Sequence, residues 1–292
     1  MKTQPISRRN FISQGASAAV VAAAALSNVP LSLFAAEDYG GNKIPIGLQL
    51  YTVGQDFRQD AAGTLAKLTK LGYKGVEFAG GSYSSSDPKD MRKLLDDNGL
   101  KCCGLHVQLN QLTGDNLAKS VAAAKVMGNT RLVVSSLGGN YTKDRASLEA
   151  VADEFNQIAD KLKADGMRTG FHCHPGEFKK IDDSTVWDIF FSRAKKEVIM
   201  QCDLGHMGTG DVDPVMYLNK YPGRAATVHV KPSGKIKRGG LVGDENDNLK
   251  WPEIFKACES VGGTEWYIVE YDGGSMEKAE KTIETLRKWG KV

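Results

Sequence analysis

Residues 165–178, DGMRTGFHCHPGEF, contain in order a helix-ending glycine, a short apolar run and a cluster of polar side chains. Gly166 follows a stretch with helical periodicity, which is typical of the residue just past the end of a helix. The apolar run then reaches His172 and His174, which share one face of a strand because successive side chains alternate. The segment therefore predicts a unit in which a helix leads into a strand that ends in chemically active residues.

The same unit recurs along the chain. The starts of eight short apolar runs lie 27 to 40 residues apart, which is room for one strand, one helix and two loops. The predicted strands cover residues 46–51, 75–79, 102–107, 131–136, 168–174, 198–203, 226–231 and 266–271. Helical periodicity lies between them, as in residues 61–71 and 148–162. Glycine also follows three other helical stretches, at Gly72, Gly99 and Gly128.

Strands that alternate with helices favour parallel pairing with right-handed crossovers. Eight evenly spaced units predict a single-domain α/β fold, the (β/α)8 TIM barrel, over residues 37–292. A doubly wound open sheet is the rival architecture. The chain has no glycine-rich phosphate loop of the kind that such sheets often carry, so the closed barrel is the prediction.

Residues 1–36 predict an export signal rather than part of the barrel. The pair Arg8-Arg9 gives a twin-arginine pattern, an alanine-rich stretch follows, and the small residues Ala35-Ala36 end it. We therefore expect the twin-arginine export machinery as a partner and a periplasmic location. An ordinary N-terminal helix is the alternative. The apolar stretch is short for a membrane span, which needs about 20 apolar residues, but an uncleaved signal would leave the protein membrane-anchored.

The charge balance argues against a nucleic-acid partner. The formal net charge is +3, and residues 1–36 contribute three positive charges (Lys2, Arg8 and Arg9) and no negative one, so residues 37–292 carry 3 − 3 = 0. A nucleic-acid binder would show a basic surface. The five cysteines of a chain this long predict buried free thiols rather than a disulfide framework.

Polar residues gather where the predicted strands end. All five histidines of the chain belong to this group, together with carboxylates and a lysine. The group consists of Glu77, His106, His172, His174, Glu177, Asp203, His206, His229, Lys231, Glu270 and Asp272. A single strand-end histidine is usually structural, but barrels of this kind form their sites at the C-terminal ends of strands. The convergence therefore predicts a metal or catalytic site there.

The mixture of carboxylate and imidazole groups suits one divalent ion, either Mn²⁺, Zn²⁺, Co²⁺ or Fe²⁺, whereas Ca²⁺ prefers oxygen ligands alone. No cysteine is placed as a convincing thiolate ligand. The residues alone do not choose among these four metals.

At these residues the chain resembles the xylose isomerase-like TIM barrel superfamily, in particular its sugar phosphate isomerase/epimerase group. The matching motifs are residues 46–51, 72–78, 171–178, 221–231 and 267–272. The resemblance implies that Asp203, His229 and Glu270 hold the metal. For the ligand from the fifth strand it implies Glu177, with His172 as the alternative.

The resemblance further implies that Glu77, His106, His174 and Lys231 line a substrate pocket, and His206 joins them as a candidate catalytic residue. The implied enzyme is a metal-dependent sugar isomerase or epimerase, which abstracts a proton next to a carbonyl while a metal stabilises the enediolate. Structural roles are the alternatives: Glu77 paired with a lysine, His106 packed at its strand end, and Lys231 solvated.

Three other functions fit parts of the pattern. A 3-keto-glycoside lyase or hydratase would use the same site for elimination, and export favours glycosides over sugar phosphates as substrates. An apurinic-site endonuclease would need three metals and a basic DNA-binding face, neither of which the sequence shows. A non-enzymatic sugar-binding module would not need Asp203, His229 and Glu270 together. We expect a small sugar or keto-glycoside as the partner, and a homo-oligomer stays one option for the assembly.

Overall fold

The computed structural model describes residues 43–79, 87–233 and 240–292, in which eight parallel strands close into a barrel. Each barrel strand pairs with the next one along the chain, and the eighth pairs with the first. The barrel strands are β1 (Ile46–Gln49), β2 (Gly75–Phe78), β3 (Lys101–Val107), β4 (Arg131–Val134), β5 (Arg168–His172), β6 (Ile199–Asp203), β7 (Thr227–Val230) and β8 (Trp266–Val269). The predicted (β/α)8 barrel is confirmed.

One main helix follows each strand. These helices are α1 (Ala61–Leu71), α2 (Pro88–Asp97), α3 (Asn116–Met127), α4 (Arg145–Lys163), α5 (Val186–Arg193), α6 (Pro214–Lys220), α7 (Trp251–Ala257) and α8 (Met276–Lys288). The sequence did not predict the short helical segments Leu50–Val53, Gly54–Gln59, Leu109–Leu112, Pro175–Phe178, Leu204–Thr209 and Cys258–Gly262. It also did not predict the hairpin that pairs Lys180–Ile181 with Ser184–Thr185.

The ends of the helices follow from local chemistry. Gly72 and Gly128 end α1 and α3 with φ angles of 110° and 69°, in the left-handed region that a residue with a Cβ atom enters only with strain. At the N-terminal ends, Asp60 and Asp144 accept hydrogen bonds from the backbone N–H groups three residues later. Each such cap stabilises its helix by about 1 kcal/mol.

Alternation along the strands separates the apolar core from the polar interior. Val228 and Val230 on β7 belong to the main apolar core, whereas His229 between them contacts the carboxylates of Glu77 and Glu270. Register brings polar residues of neighbouring strands side by side. Asp203 on β6 is the partner of His229 on β7, so these two strands present their polar residues side by side.

An ion cluster lies at the N-terminal end of the barrel, away from these residues. Arg131 and Arg168 begin β4 and β5, and both guanidinium groups contact the carboxylate of Glu265, which precedes β8. Arg168 approaches Glu265 to 2.6 Å. Because β8 lies across the barrel from β4 and β5, these ion pairs bridge opposite walls at this end. A cavity opens at the opposite, C-terminal end.

The five cysteines are all free and buried, which confirms the prediction made from their spacing. Residues 1–36, where an export signal is predicted, lie outside the described residues. Within the described ranges, no helix combines the length and the apolar character that a membrane crossing requires.

Candidate active site at the C-terminal mouth of the barrel

A cavity of about 210 Å³ opens at the C-terminal ends of the strands. Residues at or just beyond the ends of β1 to β5, together with residues that follow β6 and β8, line it. The lining residues are Gln49, Tyr51, Ala79, His106, Ser135, His172, His174, His206, Glu270 and Asp272. Among the predicted pocket residues, His106, His174 and His206 therefore face this space.

Four of the predicted residues converge at the cavity. One ligand atom from each of His172, Asp203, His229 and Glu270 lies within 4.8 Å of the other three, and all four side chains are buried. We call these four residues the ligand cluster. His172 and Asp203 are the last residues of β5 and β6, His229 lies one residue before the end of β7, and Glu270 directly follows β8.

Two atoms of the ligand cluster are buried without a hydrogen-bond partner among the described residues. They are Oδ2 of Asp203 and Nδ1 of His229, which lie 3.8 Å apart. Nδ1 of His229 is also 2.5 Å from Oε2 of Glu270, without the geometry of a hydrogen bond. A buried polar atom without a partner costs about 1–3 kcal/mol. Electron-rich atoms that converge in this way fit a cation, so the donor set suits a divalent metal.

The turn after β6 directs Asp203 toward this point. Its Oδ1 accepts a hydrogen bond of 2.8 Å from the backbone N–H of His206 and so caps the helix Leu204–Thr209. The other carboxylate oxygen is left to face the ligand cluster. Gly205 permits the close approach of this helix to β7, because a Cβ atom there would lie 2.4 Å from the carbonyl oxygen of Pro232.

Glu77 does not line the cavity; its fully buried carboxylate lies in the barrel interior. It accepts hydrogen bonds from the side chains of Gln49 and Gln201 at 2.9 Å, and its Oε2 lies 2.7 Å from Nε2 of His229 and 3.1 Å from Nε2 of His106. The prediction of a pocket-lining Glu77 is therefore corrected. The side chain is instead enclosed by Gln201, His106 and His229, which extend toward it from β6, β3 and β7.

Charge in the interior follows from these contacts. Burial alone would raise the pKa of Glu77, but the neighbouring imidazoles of His106 and His229 outweigh it and hold that pKa well below its ordinary value. Burial alone would lower the pKa of His229, but the carboxylates of Glu77 and Glu270 raise it to about 10. Without a metal, His229 is therefore protonated at neutral pH and serves as the cation between two carboxylates.

Glu177 lies outside the ligand cluster, although it was the predicted ligand from the fifth strand. After β5 the chain turns at Pro175 into the short helix Pro175–Phe178, and Oε2 of Glu177 accepts a 2.7 Å hydrogen bond from the backbone N–H of His174. Burial raises the pKa of this carboxyl group. The geometry brings His172, the alternative, to the position expected of Glu177.

His174 and His206 face each other across one side of the cavity, with ring centroids 4.8 Å apart. One ring nitrogen of His174 accepts a hydrogen bond from the backbone N–H of Glu177. The other ring nitrogen therefore carries the proton when the ring is neutral. Burial and the neighbouring His206 lower the pKa of His174, which favours that neutral ring. His206 receives a hydrogen bond of 3.1 Å at Nε2 from the ammonium group of Lys231. Both rings therefore present an N–H donor.

Lys231 lies behind Glu270 and is 5% exposed. Its Nζ donates to Oε1 of Glu270 at 3.1 Å, and lies 2.9 Å from Oδ2 of Asp272 and 3.7 Å from Oδ2 of Asp203. Burial alone would lower the pKa of Lys231, but the carboxylates of Asp203, Glu270 and Asp272 raise it above its ordinary value. The lysine is therefore a buried cation rather than a solvated one.

Sequence reasoning missed Gln201 and Tyr51, and it placed Asp272 at the end of the eighth strand without giving it a role. Gln201 lies two positions before Asp203 on β6, so strand alternation alone would have placed it inward, but an uncharged amide drew no attention. Tyr51 and Asp272 both line the cavity, and the phenol of Tyr51 donates a hydrogen bond to the carboxylate of Asp272. They follow β1 and β8, which are neighbours only because the barrel closes.

Known proteins share this architecture. The family described as xylose isomerase-like TIM barrel matches residues 65–291. An inosose dehydratase from Serratia proteamaculans (strain 568) is 24% identical over 244 residues, which are 70% of this chain and 80% of that protein. A sugar phosphate isomerase/epimerase structure from Parabacteroides distasonis ATCC 8503 has a TM-score of 0.72 at 26% identity. The match covers 87% of this chain and 98% of that one. The structure of an L-ribulose 3-epimerase has a TM-score of 0.62 at 16% identity, and the match covers 84% of this chain and 94% of that one. At this identity the likeness shows a shared fold alone.

Proposed function

The chain belongs to the xylose isomerase-like TIM barrel family, and we propose that it is a divalent-metal-dependent sugar isomerase or epimerase. The single observation that carries the proposal is the ligand cluster, in which buried atoms of Asp203 and His229 lack partners at the mouth of the barrel. The family and the names of two similar proteins, an inosose dehydratase and a sugar phosphate isomerase/epimerase, support this chemical class.

His172, Asp203, His229 and Glu270 are the residues that would hold the metal. Two imidazoles and two carboxylates suit Mn²⁺, Fe²⁺, Co²⁺ or Zn²⁺. When bound, such an ion supplies Lewis-acid polarisation of a substrate oxygen.

Glu270 is the group that takes and returns the substrate proton. Its carboxylate lines the cavity, and its Oε1 is held by the ammonium of Lys231 at 3.1 Å. Burial alone would raise the pKa of Glu270, but the positive charges of His229 and Lys231 keep it well below its ordinary value, so the carboxylate stays ionised. A positioned carboxylate next to a carbonyl is suited to proton abstraction from the adjacent carbon.

His174 and His206 stabilise the charge that develops on the substrate. Both rings line the cavity from the turns after β5 and β6, and each carries an N–H group. Donors that are fixed before the reaction stabilise a developing oxyanion without reorganisation. Lys231 acts behind them, because its ammonium group orients both Glu270 and His206.

Elimination is the second candidate, as in a 3-keto-glycoside lyase or a hydratase. The observation that favours it is the pairing of a carboxylate base with two imidazole N–H donors in one cavity, since the donors can protonate a leaving hydroxyl or glycosidic oxygen. The similarity to an inosose dehydratase points the same way. With the export signal predicted in residues 1–36, a periplasmic protein would meet glycosides or oxidised sugars more often than sugar phosphates.

Proton abstraction is tested in heavy water. The metal-loaded protein is incubated with a free keto-sugar, a cyclic polyhydroxy ketone and a 3-keto-glycoside, and the products are analysed by mass spectrometry and NMR. The isomerase proposal expects deuterium at the carbon next to the carbonyl and an unchanged molecular formula apart from that exchange. Loss of water or release of an aglycone would establish elimination instead. Absence of both deuterium exchange and elimination products with every ketone would contradict both.

A further inference from the structure

Two residues in the barrel interior contact the histidines of the ligand cluster without reaching the cavity themselves. Glu77 and Gln201 are both fully buried and neither lines the cavity. They touch each other, because Nε2 of Gln201 donates to Oε1 of Glu77 at 2.9 Å. We call them the Glu77–Gln201 pair.

The orientation of the Gln201 amide is fixed by its neighbours. An ionised carboxylate only accepts hydrogen bonds, so the NH₂ group of Gln201 must face Glu77. The hydroxyl of Thr227, 2.8 Å from the same nitrogen, is compatible with this orientation. The carbonyl oxygen Oε1 of Gln201 therefore faces the other way, 2.9 Å from Nδ1 of His172 and 2.7 Å from Nε2 of His106.

This orientation determines which nitrogen of His172 can bind a cation. A carbonyl oxygen only accepts, so Nδ1 of His172 must carry a proton. In a neutral ring, Nε2 then keeps its lone pair. The Glu77 carboxylate acts on His229 in the same way but at the opposite nitrogen, because Oε2 of Glu77 lies 2.7 Å from Nε2 of His229. When a metal replaces the second proton of His229, the lone pair is on Nδ1, the atom that lacks a hydrogen-bond partner near Asp203 and Glu270.

We propose that the Glu77–Gln201 pair is a positioning device that makes His172 bind metal through Nε2 and His229 through Nδ1. The inference deepens the proposed function and rests on its metal site. Hydrogen bonds to the second nitrogen of a metal-binding histidine typically fix its tautomer and its ring orientation, and their loss lowers metal affinity about 10- to 100-fold.

The test uses the full chain with ¹⁵N-labelled histidine. Long-range ¹H–¹⁵N correlation spectra of the metal-free protein report which nitrogen of each ring is protonated. For His172 we expect the proton on Nδ1. In Gln201→Met, which keeps the volume but removes the acceptor, we expect a shift of the His172 proton toward Nε2 and a 10- to 100-fold weaker affinity for Mn²⁺ or Zn²⁺ in isothermal titration calorimetry.

Thr169→Val is the matched control. Thr169 lies on β5 and is fully buried, and its hydroxyl has no hydrogen-bond partner among the described residues. The substitution is also a buried change from polar to apolar, but it touches neither histidine. We expect unchanged imidazole spectra and unchanged metal affinity.

The outcomes separate the two proposals. If the wild-type protein binds no metal, the proposed function fails, while the proton position on His172 still tests the inference. If Gln201→Met binds metal as tightly as wild type and leaves the His172 spectrum unchanged, the inference is overturned and the metal site stands. Should Gln201→Met fail to fold, a wild-type His172 protonated at Nε2 would by itself overturn the inference.

Discussion

Replacing Lys231 with methionine removes the buried ammonium group that faces the carboxylates of the ligand cluster. The lysine is 5% exposed, and its Nζ lies 3.1 Å from Oε1 of Glu270 and 3.7 Å from Oδ2 of Asp203. Asp272 also contacts it, but that side chain is 67% exposed and solvent screens the interaction. The two buried carboxylates therefore determine the size of the effect.

The magnitude follows from those two distances. At an effective dielectric constant of about 20, each pair contributes a gross attraction of about 5 kcal/mol. Much of this is cancelled by the desolvation of the ammonium group, and removal of one partner from a buried ion pair typically costs about 3–5 kcal/mol. For a domain of this size, that loss lowers Tm by about 6–20 °C.

The assay is thermal unfolding of the metal-free and metal-loaded forms of wild type and Lys231→Met. A divalent ion places positive charge beside the same carboxylates, so we expect the difference in Tm between the two proteins to be smaller with metal than without. Lys281→Met is the control, because Lys281 lies on the surface of α8 in an exposed pair with Glu277. Such a pair contributes about 0.3–0.5 kcal/mol.

A metal-free Lys231→Met variant whose Tm falls no further below wild type than that of Lys281→Met would refute this role of Lys231. That result would mean that Lys231 is solvated and does not compensate Asp203 and Glu270. An equal loss of Tm in the presence and absence of metal would also contradict the account, because the ion and the lysine would then act on different groups.

Three further predictions concern acid stability, packing and turnover. Burial alone would raise the pKa of Glu265, but the two arginines that begin β4 and β5 hold that pKa below its ordinary value. The stability that the ionised Glu265 contributes is therefore present above about pH 4.3 and is lost as the pH falls through the folded-state pKa. In urea unfolding from neutral to acid pH, Glu265→Gln should lose less free energy of unfolding than wild type. Gly205→Ala should lower the free energy of unfolding by about 1–3 kcal/mol, because the new Cβ atom meets a backbone oxygen at 2.4 Å, whereas Gly138→Ala, with no atom within 4 Å, should be close to neutral in the same urea titration. Glu270→Gln should reduce deuterium exchange into a ketone substrate by about 10²–10⁴-fold; exchange at the wild-type rate would remove Glu270 from the role of base.

The sequence predicted the barrel because the fold repeats one local rule eight times. Four helical stretches are followed by a glycine, at Gly72, Gly99, Gly128 and Gly166, and each strand is short and largely apolar, so the pattern is visible without any tertiary contact. Asp203, His229 and Glu270 were identifiable as site residues for a related reason, and the family resemblance implied that they are metal ligands. Parallel strands of a barrel bring their C-terminal ends together, and these residues lie at the ends of three consecutive strands.

The remaining features depend on distances that local patterns do not contain. Glu77 lies where the second strand ends, but whether a strand-end residue reaches the cavity depends on the stagger between strands. Glu177 follows the strand that carries His172, yet a turn at Pro175 returns its carboxylate to the backbone. Gln201 carries no charge, and its importance appears only when its two ends are seen between a carboxylate and two imidazoles.

Metal content is the measurement that tests the central claim most directly. The protein is stripped with a chelator, reloaded separately with Mn²⁺, Fe²⁺, Co²⁺ and Zn²⁺, desalted, and analysed by mass spectrometry of the elements. We predict about one equivalent of metal in wild type and loss of that equivalent in Asp203→Ala, because the variant lacks the buried oxygen that has no other partner. A wild-type protein that retains none of the four ions, or an Asp203→Ala variant that retains a full equivalent, would contradict the account.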